Sequence, residues 1–172
     1  VARVEGRIRG LVEGERRRWS KVDPALDLPF ESLAEFVERG GKRLRPLFCY
    51  WGYRAAGGDP EDPGVVEAGA AFEVLHAFAL AHDDVMDGSD TRRRLPTIHQ
   101  AFHHRHSTND WRGEGRRFGE GAAILIGDLA LVYADHLMRA APPEALEVWH
   151  ELKVEVNVGQ YLDLVGSASG GI

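Results

Sequence analysis

The apolar residues of this chain fall at helical spacing almost from end to end, and no hairpin dipeptide separates two alternating runs. An all-α domain of long packed helices is the direct reading. Val1–Trp19 reads as a basic amphipathic helix, followed by a breaker-rich connector from Asp23-Pro24 to Pro29. A short helix is expected over Glu31–Arg39, with Leu33, Phe36 and Val37 on one side and Gly40-Gly41 as its stop. Leu44–Ala56 resumes as an aromatic-rich helix that ends at Gly57-Gly58. Asp62 followed by Pro63 is a start signal, an N-cap with proline in the first turn, for a helix reaching about Asp87. Gly88–Leu95 reads as a polar loop, Pro96 opens a helix to about Arg105, and His106–Gly115 as polar and irregular. Phe118–Ala141 is a small-residue-rich helix closed by Pro142-Pro143, and a last helix runs to about Val165. The segment from Gly166 to Ile172 is rich in Gly and Ser; it is expected to be flexible and reads as a cut or a collapsed gap rather than a natural terminus.

The 172 residues suffice for one domain with a real core and are short for two, so a single domain over residues 1–172 is expected. Apolar residues at 44% and charged residues at 28% exclude bulk disorder. The longest apolar runs, Ala77–Ala81 and Ala122–Ile126, fall well short of the roughly 18 residues of a membrane span, so none is expected. The N-terminus is charged rather than signal-like. A single cysteine, Cys49, excludes an internal disulfide and fits a reducing, cytoplasmic setting. A net charge of −6 argues against nucleic acid as a general partner.

That charge is unevenly spread. Arg92 to Arg117 holds seven Arg and four His against Asp110 and Glu114, whereas His82-Asp83-Asp84-Val85-Met86-Asp87 packs three carboxylates into five residues. Asp83 and Asp87, four residues apart, share one face of a helix, with Asp84 beside them. Like charges so close call for a cation, and acids at a helix C-terminus oppose the dipole as well. Oxygen ligands without cysteine point to Mg²⁺, which takes a few carboxylates, waters and phosphate oxygens, so a diphosphate is the natural remaining ligand. Acids paired with neighbouring bases at a helix end are the plain alternative. Gly40-Gly41-Lys42-Arg43-Leu44-Arg45-Pro46 sets three cations beside two glycines, and Arg92, Arg93 and Arg94 follow the acids. Such groups bind phosphate oxygens through charge-assisted bonds, although a basic turn is more often simply solvated. His76, seven residues before Asp83, lies two turns away on the same face. One acid cluster and two basic clusters can hold two diphosphates, one through metal and one directly.

These residues, in this order, resemble the trans-isoprenyl diphosphate synthase (polyprenyl synthetase) family, with a geranylgeranyl diphosphate synthase-like pattern. Lys42, Arg43 and Arg45 fall in a segment similar to GGKRxRP, Asp83 to Asp87 in one similar to the first DDxxD motif, and Arg92-Arg93 with Pro96-Thr97-Ile98-His99 in one like RRGxPTxH. Gly127-Asp128 and Gly159-Gln160-Tyr161-Leu162-Asp163 resemble the later GD and GQxxD segments. The resemblance covers nearly the whole chain but only the N-terminal half to two-thirds of the family's length. Arg94 stands where the family has glycine, and the second DDxxD motif and the lysine after it are absent from this sequence.

The resemblance implies the isoprenoid synthase fold, a bundle of long antiparallel helices around a central cavity, here without its C-terminal part. It implies a Mg²⁺-dependent prenyltransferase that condenses isopentenyl diphosphate with an allylic diphosphate, acting as a cytoplasmic homodimer. Asp83, Asp84 and Asp87 then bind Mg²⁺ on the allylic diphosphate, with Arg92 on the same group. Lys42, Arg45, His76 and Arg93 hold isopentenyl diphosphate, and Gln160 and Asp163 sit on a facing helix near the allylic site. Leu75, Phe78 and Ala79 line the growing chain. An aromatic at the fifth position before the first aspartate, with a small residue at the fourth, resembles the geranylgeranyl pattern, with Phe78 as a floor. On an ideal helix Phe78 points about 140° from Asp83, so core packing remains its alternative reading. Three rival functions stand beside this one: a class I terpene cyclase, disfavoured by two extra basic sets; an HD-type phosphohydrolase, whose His ligands here crowd one short segment; and a non-catalytic subunit regulating a partner synthase.

Overall fold

The computed structural model describes residues 1–38 and 41–170. Arg39 and Gly40, the expected end of the second helix and the first glycine of the basic turn, lie outside the described residues, as do residues 171–172. The chain divides into two compact units, Val1–Leu137 and the segment from Met138 onward. Seven α-helices account for most of the described residues: α1 Ala2–Trp19, α2 Asp27–Glu38, α3 Leu44–Ala55, α4 Pro63–Met86, α5 Ile98–Thr108, α6 Gly115–Met138 and α7 Pro143–Ser169.

The first unit is organised around α4, which packs against α1, α2, α3 and α5. Its start is as the sequence predicts: Asp62 accepts a hydrogen bond from the Gly64 N–H at 2.7 Å, and Pro63 occupies the first turn, where no N–H is needed. Its core face is built from small and branched residues, among them Ala70, Ala71, Val74, Leu75, Ala77 and Ala81. Gly69 lets α1 and α3 approach closely, since a Cβ there would meet Val4 at 3.2 Å and Pro46 at 3.4 Å. By length and composition α4 and α6 could each cross a membrane, with a mean hydropathy of 1.4 over 18 residues, which uninterrupted apolar runs do not reveal. In α4, 56% of that window is buried inside the protein, as in a core helix.

One buried ion pair ties this unit together. Arg43 is 8% exposed and donates to Glu73 of α4 at 2.6 Å, to Glu5 of α1 at 3.2 Å and to the Val37 carbonyl of α2 at 2.8 Å. Burial works against its charge, but the bonds it donates to Glu73 and Glu5, with the charges of both, outweigh burial and hold its pKa above the ordinary value.

Several boundaries differ from the sequence reading. Helix α2 begins at Asp27, ahead of Pro29, because proline is tolerated in a first turn; Arg16 and Ser20 both bind Asp27 there, at 3.0 and 2.6 Å. The polar loop contains a two-rung antiparallel hairpin, Thr91–Arg92 against Leu95–Pro96, so Pro96 ends a strand and α5 starts at Ile98. The hairpin dipeptide is Arg93-Arg94, both with positive φ (53° and 66°), a conformation no glycine announces here. Helix α5 runs on to Thr108, into the segment read as irregular, and α6 opens at Gly115. Helix α7 extends to Ser169, through the Gly- and Ser-rich stretch read as flexible, and closes at Gly170 with φ 83°.

Arg43→Met, which strands Glu73 in the interior, is expected to cost about 3–5 kcal/mol in urea unfolding. Adding Glu73→Leu should recover most of that loss, because a buried pair replaced on both sides by apolar groups is close to neutral. A single variant within about 0.5 kcal/mol of the parent contradicts the role given to this pair.

Candidate active site

The acids sit in the last turn of α4, where the helix C-terminus disfavours negative charge. Asp83 is half-buried and Asp87 exposed; the Asp87 N–H closes the helix on the Asp83 carbonyl at 2.8 Å. Asp84 turns inward and is 1% exposed. Its Oδ1 accepts from Arg92 Nε at 2.9 Å, and Arg92 Nη2 lies 2.8 Å from the same oxygen and donates to Asp83 Oδ2 at 3.0 Å. Asp84 Oδ2 is buried and has no hydrogen-bond partner. Burial pushes the Asp84 pKa up, with the Arg92 hydrogen bond opposing it.

Arg92 is presented by the hairpin, which is anchored from behind. Thr97 is 1% exposed; its Oγ1 donates to the Ser89 carbonyl at 2.8 Å, its N–H to the Asp90 carbonyl at 3.1 Å, and His99 Nδ1 lies 3.2 Å from the hydroxyl. The Ser89 N–H in turn donates to the Asp84 carbonyl at 2.9 Å. Arg94 takes the positive-φ corner at a cost of about 1 kcal/mol that glycine would not incur.

Beside the acids lies a cavity of about 230 Å³ lined by Lys42, Arg45, His76, Arg92 and Arg93, with Ala77 and Leu80 among its apolar walls. The two basic sets, about fifty residues apart in sequence, thus meet in one place. Arg93 packs on Gly41, where a Cβ would lie 3.1 Å from its guanidinium. Arg43 reaches the cavity wall from within the fold, so the three cations of the basic turn divide: Lys42 and Arg45 are exposed, and Arg43 is structural. Burial, followed by the fields of Arg45, Arg92, Arg93 and Arg43, pushes the His76 pKa down to about 4. His76 is therefore neutral near pH 7.

Among the described residues no three His, Cys, Asp or Glu side chains gather to hold a metal unaided. Asp83 and Asp87 are hard oxygen donors at the accessible end of α4, and Asp84 keeps one buried oxygen without a hydrogen-bond partner. That donor set fits a Mg²⁺ ion whose other ligands are waters and phosphate oxygens.

Leu75 and Phe78 are buried on α4 and Ala79 half-buried. Phe78 stacks edge-on against His82, ring centroids 4.7 Å apart. Gln160 and Asp163 lie one turn apart on α7, in the second unit.

The family model for polyprenyl synthetase matches residues 28–170. The chain belongs to that family. The chain is 31% identical over 169 residues to a geranylgeranyl diphosphate synthase of Methanosarcina mazei, covering 90% of this chain and 47% of the relative. It is 30% identical over 159 residues to a nonaprenyl diphosphate synthase of Mycobacterium tuberculosis, covering 92% of this chain and 42% of the relative. The crystal structure of a geranylgeranyl pyrophosphate synthase from Corynebacterium glutamicum, complexed with isoprenyl diphosphate and magnesium, superposes with a TM-score of 0.89 at 32% identity, over 98% of this chain and 50% of that one. The chain thus spans about half the length of the relatives it matches, and its all-α isoprenoid synthase fold is shared with them.

Sequence reasoning missed the roles of Arg43 and Thr97. Arg43 looked like one more phosphate cation in a basic run, and no local signal marks it as internal. Thr97 carries no local sign of its role either, because its hydroxyl bonds back to the Ser89 carbonyl rather than capping α5.

Because the His76 pKa is lowered in the fold, the unfolded chain takes up a proton first as pH falls. Stability from this group is complete above about pH 6.5 and is lost towards pH 4, by about 1.4 kcal/mol per pH unit at most. In proton NMR the His76 ring should titrate near 4, and inorganic diphosphate should move that midpoint upward by neutralising the surrounding arginines. A midpoint near 6.5 without ligand contradicts the field described above.

Proposed function

We propose that this member of the family is a prenyltransferase that condenses isopentenyl diphosphate with an allylic prenyl diphosphate. The product is a longer trans-polyprenyl diphosphate, with geranylgeranyl diphosphate as the preferred length. The observation that carries the reading is the convergence of Lys42, Arg45, His76, Arg92 and Arg93 on one cavity beside the acid turn of α4. Five nitrogen-bearing side chains around a small volume suit a phosphate-rich ligand, and the neighbouring carboxylates suit a second one held through metal.

Asp83 and Asp87 hold Mg²⁺, with Asp84 behind them. When bound, the ion supplies positive charge that stabilises a departing diphosphate. Arg92, fixed by Asp83 and Asp84, adds a donor to the same group. Lys42, Arg45 and Arg93 grip the diphosphate of isopentenyl diphosphate, and neutral His76 contributes a hydrogen bond rather than a charge. The alkene of isopentenyl diphosphate attacks the allylic carbon as its diphosphate leaves, and the released diphosphate accepts the proton lost at the end. No side-chain nucleophile is required. Phe78, with Leu75 and Ala79, limits the chain. A homodimer acting in the cytoplasm is part of the same proposal.

In the full-length protein, Lys42→Ala and Arg45→Ala should raise KM for isopentenyl diphosphate about 10- to 100-fold, more than KM for the allylic substrate; Arg92→Ala should do the reverse. Asp83→Ala and Asp87→Ala should lower Mg²⁺-dependent kcat by orders of magnitude with little change in thermal unfolding. Equal effects on both substrates sink the division into two sites, and near-normal turnover of either aspartate variant sinks the metal assignment.

A further inference from the structure

His82 has no part in the chemistry just described and does not line the anion cavity, yet it is held between Phe78 and α6. It lies one turn beyond Phe78 on α4, and the two rings meet edge-on at an interplanar angle of 61°. Its Nε2 is 3.1 Å from the Ile124 carbonyl oxygen of α6 and 3.5 Å from Asp128 Oδ1. A carbonyl only accepts, so Nε2 carries the proton in this pairing. The imidazole edge rests directly on Gly127, where a Cβ would collide with Cδ2 and Nε2. Glycine at 127 is thus required by the histidine that occupies its side-chain space.

A floor made of one aromatic ring stops a growing chain only if the ring stays put. Phe78 has no polar atom to fix it, and a flexible apolar chain pressing on it can turn it to another rotamer. His82 supplies the missing restraint. We propose that His82 is a positioning residue for product length: clamped to α6 by Gly127, Ile124 and Asp128, it holds the Phe78 ring in one orientation and so sets where elongation stops. This rests on the reading of Phe78 as the floor.

The test is the product distribution of the full-length protein, read by mass spectrometry, with KM for isopentenyl diphosphate measured alongside. Phe78→Ala should lengthen the product. His82→Ala should lengthen it too, by one isoprene unit or more in part of the product, with Phe78 still present and KM unchanged. The double variant should go no further than Phe78→Ala, since His82 acts through that ring. His82→Gln, which keeps an N–H for Ile124, should stay close to the parent. Should His82→Ala fail to fold, His82→Asn, whose shorter amide does not reach Ile124, takes its place. Longer products from Phe78→Ala with unchanged products from the His82 variants overturn the clamp alone; an unchanged product from active Phe78→Ala overturns the floor and the clamp with it.

Discussion

Arg43 is drawn into the interior by Glu73 and held there by Glu5 and the Val37 carbonyl. Three helices from separate parts of the sequence are joined at one guanidinium, whose fork of donors no lysine could reproduce. The residue stands at φ 49°, a left-handed corner just ahead of α3. With Arg43 turned inward, Lys42 and Arg45 are left exposed at the cavity rim. The interaction that fixes the fold thereby also sorts a run of like charges into one structural and two exposed members.

A second constraint acts at the end of α4. Three carboxylates in the last turn repel one another and face the negative end of the helix. Arg92 meets two of them, and Thr97 fixes the hairpin that delivers it. Arg92 also reaches the cavity that Lys42, Arg45, His76 and Arg93 line. One side chain therefore links the acid turn of α4 to the cavity wall.

Much of this was legible beforehand, for physical reasons. The start of α4 follows from Asp62-Pro63, because a cap and a proline act locally. The two basic sets could be paired with the acids because the chemistry of diphosphates demands both. The hairpin at Arg93-Arg94 was not legible, since left-handed φ is usually announced by glycine and here is imposed on arginine by the surrounding loop. The reach of α7 through Gly166 was missed because helix propensity is a weak prior. The burial of Arg43 and the seat of His82 on Gly127 are tertiary facts, written in no single window of the sequence.

The central claim is that one diphosphate is held directly by cationic and histidine side chains and needs no metal. Calorimetric titration of isopentenyl diphosphate into the full-length protein, with divalent cations removed by chelator, tests it most directly. The account predicts binding of one molecule per chain without metal, abolished when Lys42 and Arg45 are both replaced by alanine. Binding that appears only when Mg²⁺ is restored, or that survives the double replacement, would contradict it.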